Sequence, residues 1–152
     1  MLEAYAAEPG DGSILVFTRF IEEAEALAKA LGNEAAVVTG DTPANERERI
    51  LRVFKKRGIK VVTNVGVLTT GFDFPELDTV VLARPTMSLA LYYQMVGRAI
   101  RPCKDKIGWV VDICGNYKRF GRVDSLEVRQ RTSGIWAVYS GQKQLTNVWF
   151  NR

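Results

Sequence analysis

The feature that most restricts this chain is the regular return of a short, wholly apolar run followed by an amphipathic stretch of helical period. Ile14–Thr18 reads ILVFT, a pattern of strand length that suits a strand covered on both faces. Ile21 to about Leu31 follows as a helix, with Ile21, Ala24, Leu27 and Leu31 on one stripe and Gly32 as its stop. Ala35–Val38 is the second strand. Thr42 is expected to cap the next helix, with Pro43 at its first position, Ile50, Leu51 and Phe54 as its buried stripe and Gly58 at its end. Lys60–Thr63 and Thr79–Ala83 are the third and fourth strands. Ser88 then caps a helix running to about Ile100 and stopped before Pro102, and Trp109–Ile113 is the fifth strand. Such alternation predicts an α/β fold with a central, mostly parallel sheet, helices on both faces and right-handed crossovers. Ligands of such sheets gather at the carboxyl ends of the strands, so functional residues are expected in the loops that follow them.

Beyond about Asp124 the rhythm changes. Ile135–Tyr139 and Leu145–Phe150 flank Ser-Gly-Gln-Lys, which predicts a C-terminal β-hairpin outside the parallel core. Trp149 and Phe150 stand just before the last residue, Arg152, as expected of a chain cut short. A length of 152 residues suits one ordinary domain. The apolar runs are too short to cross a membrane, and the first residues lack the basic-then-apolar pattern of a secretory signal.

The chain contains no histidine, which excludes histidine-based triads, His-ligated metal and imidazole acid–base chemistry. Cys103 and Cys114 lack CxxC spacing and read as reduced thiols of a cytoplasmic protein, with no metal site. Charge is unevenly placed. Residues 1–96 carry 10 Lys/Arg and 13 Asp/Glu, whereas residues 97–131 carry 9 Lys/Arg against 4 acids. A basic third joined to an acidic remainder fits a polyanion partner or a solvated face equally well.

The strongest local signal is Gln94-Met95-Val96-Gly97-Arg98-Ala99-Ile100-Arg101. On a helix Gln94, Arg98 and Arg101 fall at i, i+4 and i+7 and share a face, while Tyr93, Val96 and Ile100 form an anchoring apolar stripe. Two guanidiniums one turn apart repel each other unless an anion meets them, and their planar forks match phosphate oxygens. An ordinary amphipathic helix would produce the four fixed positions by chance on the order of once in a thousand chains of this length, so function is preferred.

Gln-x-x-Gly-Arg-x-x-Arg resembles motif VI of superfamily 2 helicases, and the resemblance holds in order and spacing throughout Ser13–Arg101, with Gly108–Ile113 as the strand that usually follows. Ser13–Arg19 is similar to motif IV. Val38-Thr39-Gly40 with Arg47 and Phe54 is similar to the block that follows it, and Thr63-Asn64-Val65 through Thr69-Thr70-Gly71-Phe72-Asp73-Phe74-Pro75 is similar to motif V. Thr-Thr-Gly-Phe-Asp-x-Pro and Tyr-Tyr-Gln together look like RadD-type bacterial and prophage DNA-repair helicases. The resemblance implies the C-terminal RecA-like lobe of a DEAD/DEAH-type helicase, a three-layer sandwich of the P-loop NTPase type. Residues 1–12 would be the linker from an N-terminal RecA-like lobe, 13–123 the lobe itself and 124–152 an extension with the hairpin. It also implies ATP with Mg²⁺, held mainly by that other lobe of the same polypeptide. Arg98 and Arg101 would be arginine fingers on the γ-phosphate, a device that contributes ~10³–10⁵ in rate. Gln94 would position groups near the phosphates or couple motif VI to the other lobe, and Gly71, Asp73 and Gly97 would line the ATP cleft, with Asp73 on a ribose hydroxyl or a neighbouring arginine. Arg19, Thr39, Gly40, Asn64 and Thr69 would touch the backbone of DNA or RNA, for which hydroxyls and amides suffice. For Thr39 and Thr69 a local hydroxyl-to-backbone role is equally open, and a turn role before Phe74-Pro75 is the lesser alternative for Asp73.

One residue departs from the family pattern: Met95 stands where many members have arginine, and Arg84 and Arg119 are candidates to take over its contacts. The chain also lacks a Gly-x-x-x-x-Gly-Lys-Ser/Thr phosphate loop and an Asp-Glu pair. It is therefore expected to complete an ATPase site without making one, and to be inactive and monomeric by itself. The alternatives are the translocase lobe of a restriction enzyme, or a non-catalytic nucleic-acid-binding module, for which the paired arginines would have no use.

Overall fold

The structure is a computed structural model that describes residues 12–69, 71–104, 106–132 and 135–146. Strands β1 (Ile14–Thr18), β2 (Ala35–Val38), β3 (Val61–Asn64), β4 (Thr79–Ala83) and β5 (Trp109–Asp112) form one parallel sheet in the order β2-β3-β1-β4-β5. Ile14 is in register with both Val61 and Thr79, and Thr79 with Trp109. Three helices return the chain between strands: α1 (Ile21–Leu31), α2 (Ala44–Lys55) and α3 (Leu89–Val96).

Strand side chains alternate between faces, and the two faces differ. Leu15, Phe17, Val38, Val62, Val80 and Leu82 turn toward α2 and α3 and join Ile50, Phe54, Tyr92, Met95, Val96 and Ala99 in the main core. Phe54, Phe72 and Phe74 meet there with ring centroids 5.6–6.3 Å apart. On the other face Thr63 Oγ1 donates to the Ala24 carbonyl of α1 at 3.1 Å. Only α1 covers that face among the described residues, and Val111 and Ile113 remain exposed.

Several local expectations are corrected by packing. On α1 the buried residues are Ala24 and Ala28, whereas Ile21, Leu27 and Leu31 stay 36–40% exposed. Small residues let the helix lie close to β2 and β3, and the larger ones flank the contact. Thr42 does not cap α2: its hydroxyl accepts the Thr39 amide at 2.9 Å, and Pro43 occupies the cap position. That helix ends at Lys55, and the left-handed residue past its end is Arg57 (φ 61°), not Gly58, whose amide reaches back to Val53. The third helix stops at Val96, four residues before the expected Ile100. Arg98 and Ala99 donate to carbonyls three residues back, so the last turn is tightened. Its buried stripe is Tyr92, Met95, Val96 and Ala99, while Tyr93 and Ile100 are about half exposed. Met95 is fully buried, so this position of the motif faces the sheet.

The C-terminal part is a second, antiparallel sheet. Its strands are β6 (Leu126–Thr132), β7 (Ile135–Ser140) and β8 (Lys143–Gln144), joined to β5 through a short helix, α4 (Asn116–Phe120). The hairpin expected from Ile135–Tyr139 and Leu145–Phe150 is thus a three-stranded sheet in which β7 pairs mainly with β6. Sequence reading missed β6 because its charged and polar residues (LEVRQRT) mask a strand's alternation. Residues 1–11 of the proposed linker, and Trp149 and Phe150, lie outside the described residues.

Phe54→Ala should lower the unfolding free energy by about 3–5 kcal/mol. Urea unfolding of the 152-residue chain followed by tryptophan fluorescence and circular dichroism tests this; an unchanged midpoint would contradict the three-ring core.

Candidate functional site

Because every strand of the main sheet points the same way, each connection must travel back along the sheet. Residues 65–78 run from the carboxyl end of β3 to the amino end of β4, and α3 runs from the carboxyl end of β4 toward the amino end of β5. This separates the expected site residues into two groups. Arg19, Thr39, Gly40 and Asn64 stand at the carboxyl tips of β1, β2 and β3. Asp73, Arg98 and Arg101 gather on the α2–α3 flank toward the amino ends, which corrects the expectation that all functional residues follow strand tips.

At the flank, contacts between distant segments define the arrangement. Arg98 donates through Nη1 to the Phe72 carbonyl at 2.6 Å and through Nη2 to the Thr69 carbonyl. Its Nε is buried without a hydrogen-bond partner. Burial pushes the Arg98 guanidinium below its usual pKa, because neutral carbonyls replace water around the charge. Arg101 forms an ion pair with Asp73, whose side chain is 74% exposed. Gln94 projects into solvent one turn earlier. Gly71 is exposed with φ 70°, a left-handed conformation that lets the chain bend between Thr69 and Phe72. Gly97 closes the helix by donating its amide to Tyr93 at 2.9 Å. The structure therefore brings Arg98, Arg101, Asp73, Gly71, Gly97 and Thr69 together, with Gln94 at the margin.

Lys106, which the motif reading missed, locks this cluster. Its Nζ donates to the carbonyls of Pro75 (2.6 Å), Leu77 (3.0 Å) and Ala99 (2.9 Å). One ammonium thus spends three donors fastening the β3–β4 connection to the turn that carries Arg98. Gly108 completes the joint, since a Cβ there would lie 2.1 Å from the Ala99 carbonyl oxygen. The sequence signal was present only as a Lys-x-Gly just before a strand, too common to single out. Beside the cluster, Arg47, Arg52, Lys55, Lys56 and Asp73 line an open groove of about 640 Å³ between α2 and the loop.

The carboxyl edge is open at some of its expected residues and closed at others. Arg19 is exposed and its guanidinium lies 4.9 Å from the Phe20 ring centre. Gly40 is exposed, with free space where a side chain would stand. Thr39 is nearly buried, and its hydroxyl accepts the Asp41 amide at 3.3 Å, so it shapes the turn. Asn64 requires correction. Its side chain is fully buried, Nδ2 donating to Val16 and Oδ1 accepting from Leu68, so it presents no surface to a ligand. Thr69 is likewise nearly buried, and its carbonyl belongs to the arginine cluster instead of the edge.

Residues 2–103 match the family model described as "Helicase conserved C-terminal domain". The chain is 38% identical over 81 residues to the putative ATP-dependent helicase IRC3 of Saccharomyces cerevisiae, covering 53% of this chain and 12% of that protein. It is 39% identical over 71 residues to the type I restriction enzyme EcoKI endonuclease subunit of Escherichia coli, covering 45% and 6%. Among solved structures it is similar to S. cerevisiae Dbp5 bound to RNA and ADP BeF3, with a TM-score of 0.58 and 26% identity over 68% of this chain and 28% of that one. The chain spans less than a third of the length of the curated relatives it matches.

The exposed Arg101–Asp73 pair should contribute only ~0–1 kcal/mol to stability. A double-mutant cycle of Arg101→Ala and Asp73→Ala, read by urea unfolding, is expected to give coupling in that range. Coupling well above it would show that the pair holds the fold together.

Proposed function

Because this chain belongs to the helicase C-terminal domain family, we propose that it is the second motor lobe of an ATP-dependent DNA or RNA helicase or translocase. The observation that carries this is the joining of Arg98 and Arg101 to the Gly71–Asp73 loop at one edge of the lobe. Arg98 holds its charge against neutral carbonyls, and Arg101 holds its own against an exposed carboxylate. Neither is neutralised by a buried partner, and the Arg101 pair is cheap to exchange, at ~0–1 kcal/mol. A polyanion presented from a facing lobe would draw Arg101 from Asp73 and compete with the Phe72 and Thr69 carbonyls for the Arg98 guanidinium, whose buried Nε has no partner to hold it back.

ATP with Mg²⁺, held mainly by the N-terminal RecA-like lobe of the same polypeptide, would supply the transferable phosphoryl group. The residues present fit that role from the other side: two guanidiniums to balance charge on phosphate oxygens, and Asp73, once released, to accept from a ribose hydroxyl. Gln94 would hold polar groups nearby, while Gly71 and Gly97 keep the backbone free of side chains at the cleft. Arg98 and Arg101 then act as arginine fingers. Nucleic acid would cross the carboxyl edge at Arg19, Gly40 and the Thr39 backbone. Thr69 and the loop to Gly71 touch Arg98, so motion of the arginines would pull on the segment leaving β3.

A role in DNA repair or recombination is the biological reading we favour, from the RadD-like form of motifs V and VI. The similarity to the EcoKI subunit supports a second reading, the translocase lobe of a restriction enzyme. A non-catalytic nucleic-acid-binding module is disfavoured by the paired arginines.

In the full-length protein, nucleic-acid-stimulated ATP hydrolysis should fall at least about tenfold in Arg98→Ala and in Arg101→Ala, within the range of arginine-finger losses. The assay uses single-stranded DNA, duplex DNA and RNA in parallel, with circular dichroism to check folding. Wild-type rates in both variants would refute the finger role. The 152-residue chain alone should show no turnover, and measurable hydrolysis by it would refute the half-site reading.

A further inference from the structure

The carboxyl edge does not stop at β1. In the sheet order β2-β3-β1-β4-β5, the tips beyond Arg19 belong to β4, which ends at Ala83 before Arg84, and to β5, which leads into Gly115 and α4. We propose that a nucleic-acid strand crossing Gly40 and Arg19 continues over these tips onto α4, with Arg84, Lys118 and Arg119 taking its phosphates. The inference rests on the reading of this edge as the nucleic-acid side of the lobe.

The far half of the edge is built, not incidental. Asn116, 1% exposed, donates through Nδ2 to the Arg84 carbonyl at 3.0 Å and accepts the Thr86 amide through Oδ1 at 2.9 Å. The β4 tip and the start of α4 are thereby held in one piece, which places Arg84 beside α4. The one carboxylate in that joint, Asp112, is spent internally. It accepts from the Cys114 amide, from Asn116 Nδ2 and from the Tyr117 amide, at 3.1, 3.1 and 2.6 Å. Three N–H groups turned on Asp112 stabilise its charge locally, and the other carboxylate felt at Cys114, Glu23, is held by the Arg19 and Phe20 amides at 3.1 and 3.2 Å, so both acids are engaged by N–H donors.

Three cations remain. Arg84 is half-buried, and Lys118 and Arg119 are exposed on α4. Lys143 adds a fourth charge at the far end of the helix by donating Nζ to the Arg119 carbonyl at 2.6 Å. Arg122 and Arg129 are different, since Asp124 and Glu127 pair with them. Gly115 is exposed with open space at its Cβ position, as Gly40 is. A backbone-binding edge needs such points, because a phosphate can approach an amide closely there. Two strand spacings separate β1 from β5, on the order of 10 Å. At ~3.4 Å per nucleotide this adds roughly three nucleotides to the track.

Such contacts are electrostatic and sequence-independent, so salt dependence reads them directly. Each phosphate contact to a single strand contributes ~0.7 to the slope of log affinity against log salt. Binding of labelled oligonucleotides of graded length by the full-length protein, without nucleotide, should be compared for wild type, Arg84→Gln, Lys118→Gln/Arg119→Gln and Arg19→Gln. The expected result is a slope shallower by ~0.7 in Arg84→Gln and ~1.4 in the double variant, with the length at which affinity stops rising becoming shorter by about three nucleotides. If Arg19→Gln weakens binding while the other variants keep wild-type slope and length, the track ends at β1 and the extension is wrong. If Arg19→Gln is silent as well, the assignment of nucleic acid to this edge fails with it.

Discussion

A sheet whose strands all run in one direction forces every connection to recross its full length, and the working parts of this lobe follow from that requirement. The segment after β3 leaves the carboxyl edge and descends to the amino end of β4, and α3 descends beside it. Residues that begin at the edge proposed for nucleic acid therefore finish on the flank where the arginines stand. The two proposed sites, at opposite ends of the strands, are joined by one stretch of chain.

What fixes that stretch is a set of cation–carbonyl contacts. Arg98 grips Thr69 and Phe72, and Lys106 grips Pro75, Leu77 and Ala99. Charged donors on neutral acceptors are stronger than amide–carbonyl bonds, yet they leave the positive charge unspent. The same contacts that order the loop thus keep it electropositive. A carboxylate in place of those carbonyls would order the loop equally well but would quench the charge that a phosphate is proposed to meet. Arg101 is held differently, by exposed Asp73, and is the more easily redirected of the two.

Much of the molecule was legible in the residues. The bounds of β1, β2, β4 and α1 follow directly from their apolar runs, and the parallel order follows from strand–helix alternation. Failures cluster where a local rule met a tertiary demand. Leu27 and Leu31 look like core residues but flank a contact made by alanines, and Asn64 looks like a ligand but is consumed by Val16 and Leu68. The helix expected to carry Arg98 ends at Val96, because the turn that follows tightens against the amino end of β5 at Gly108. Strand β6 was missed although it pairs with the strand that follows it, Thr132 standing opposite Ile135, because charged and polar residues fill most of its positions and hide the apolar alternation of a strand.

By itself, then, the sequence determined the element types of the main sheet, the parallel α/β class and the identity of the arginine-bearing segment, because periodicity and spacing are properties of neighbours along the chain. Only the tertiary structure decided that Arg98 rests on carbonyls, that Asp73 faces Arg101, and that Lys106 and Asn116 act as joints. The physical reason is distance in sequence. Each of those contacts, apart from the Lys106–Ala99 bond, links residues more than 25 positions apart, and whether a donor finds an acceptor at that separation depends on how the whole sheet is assembled.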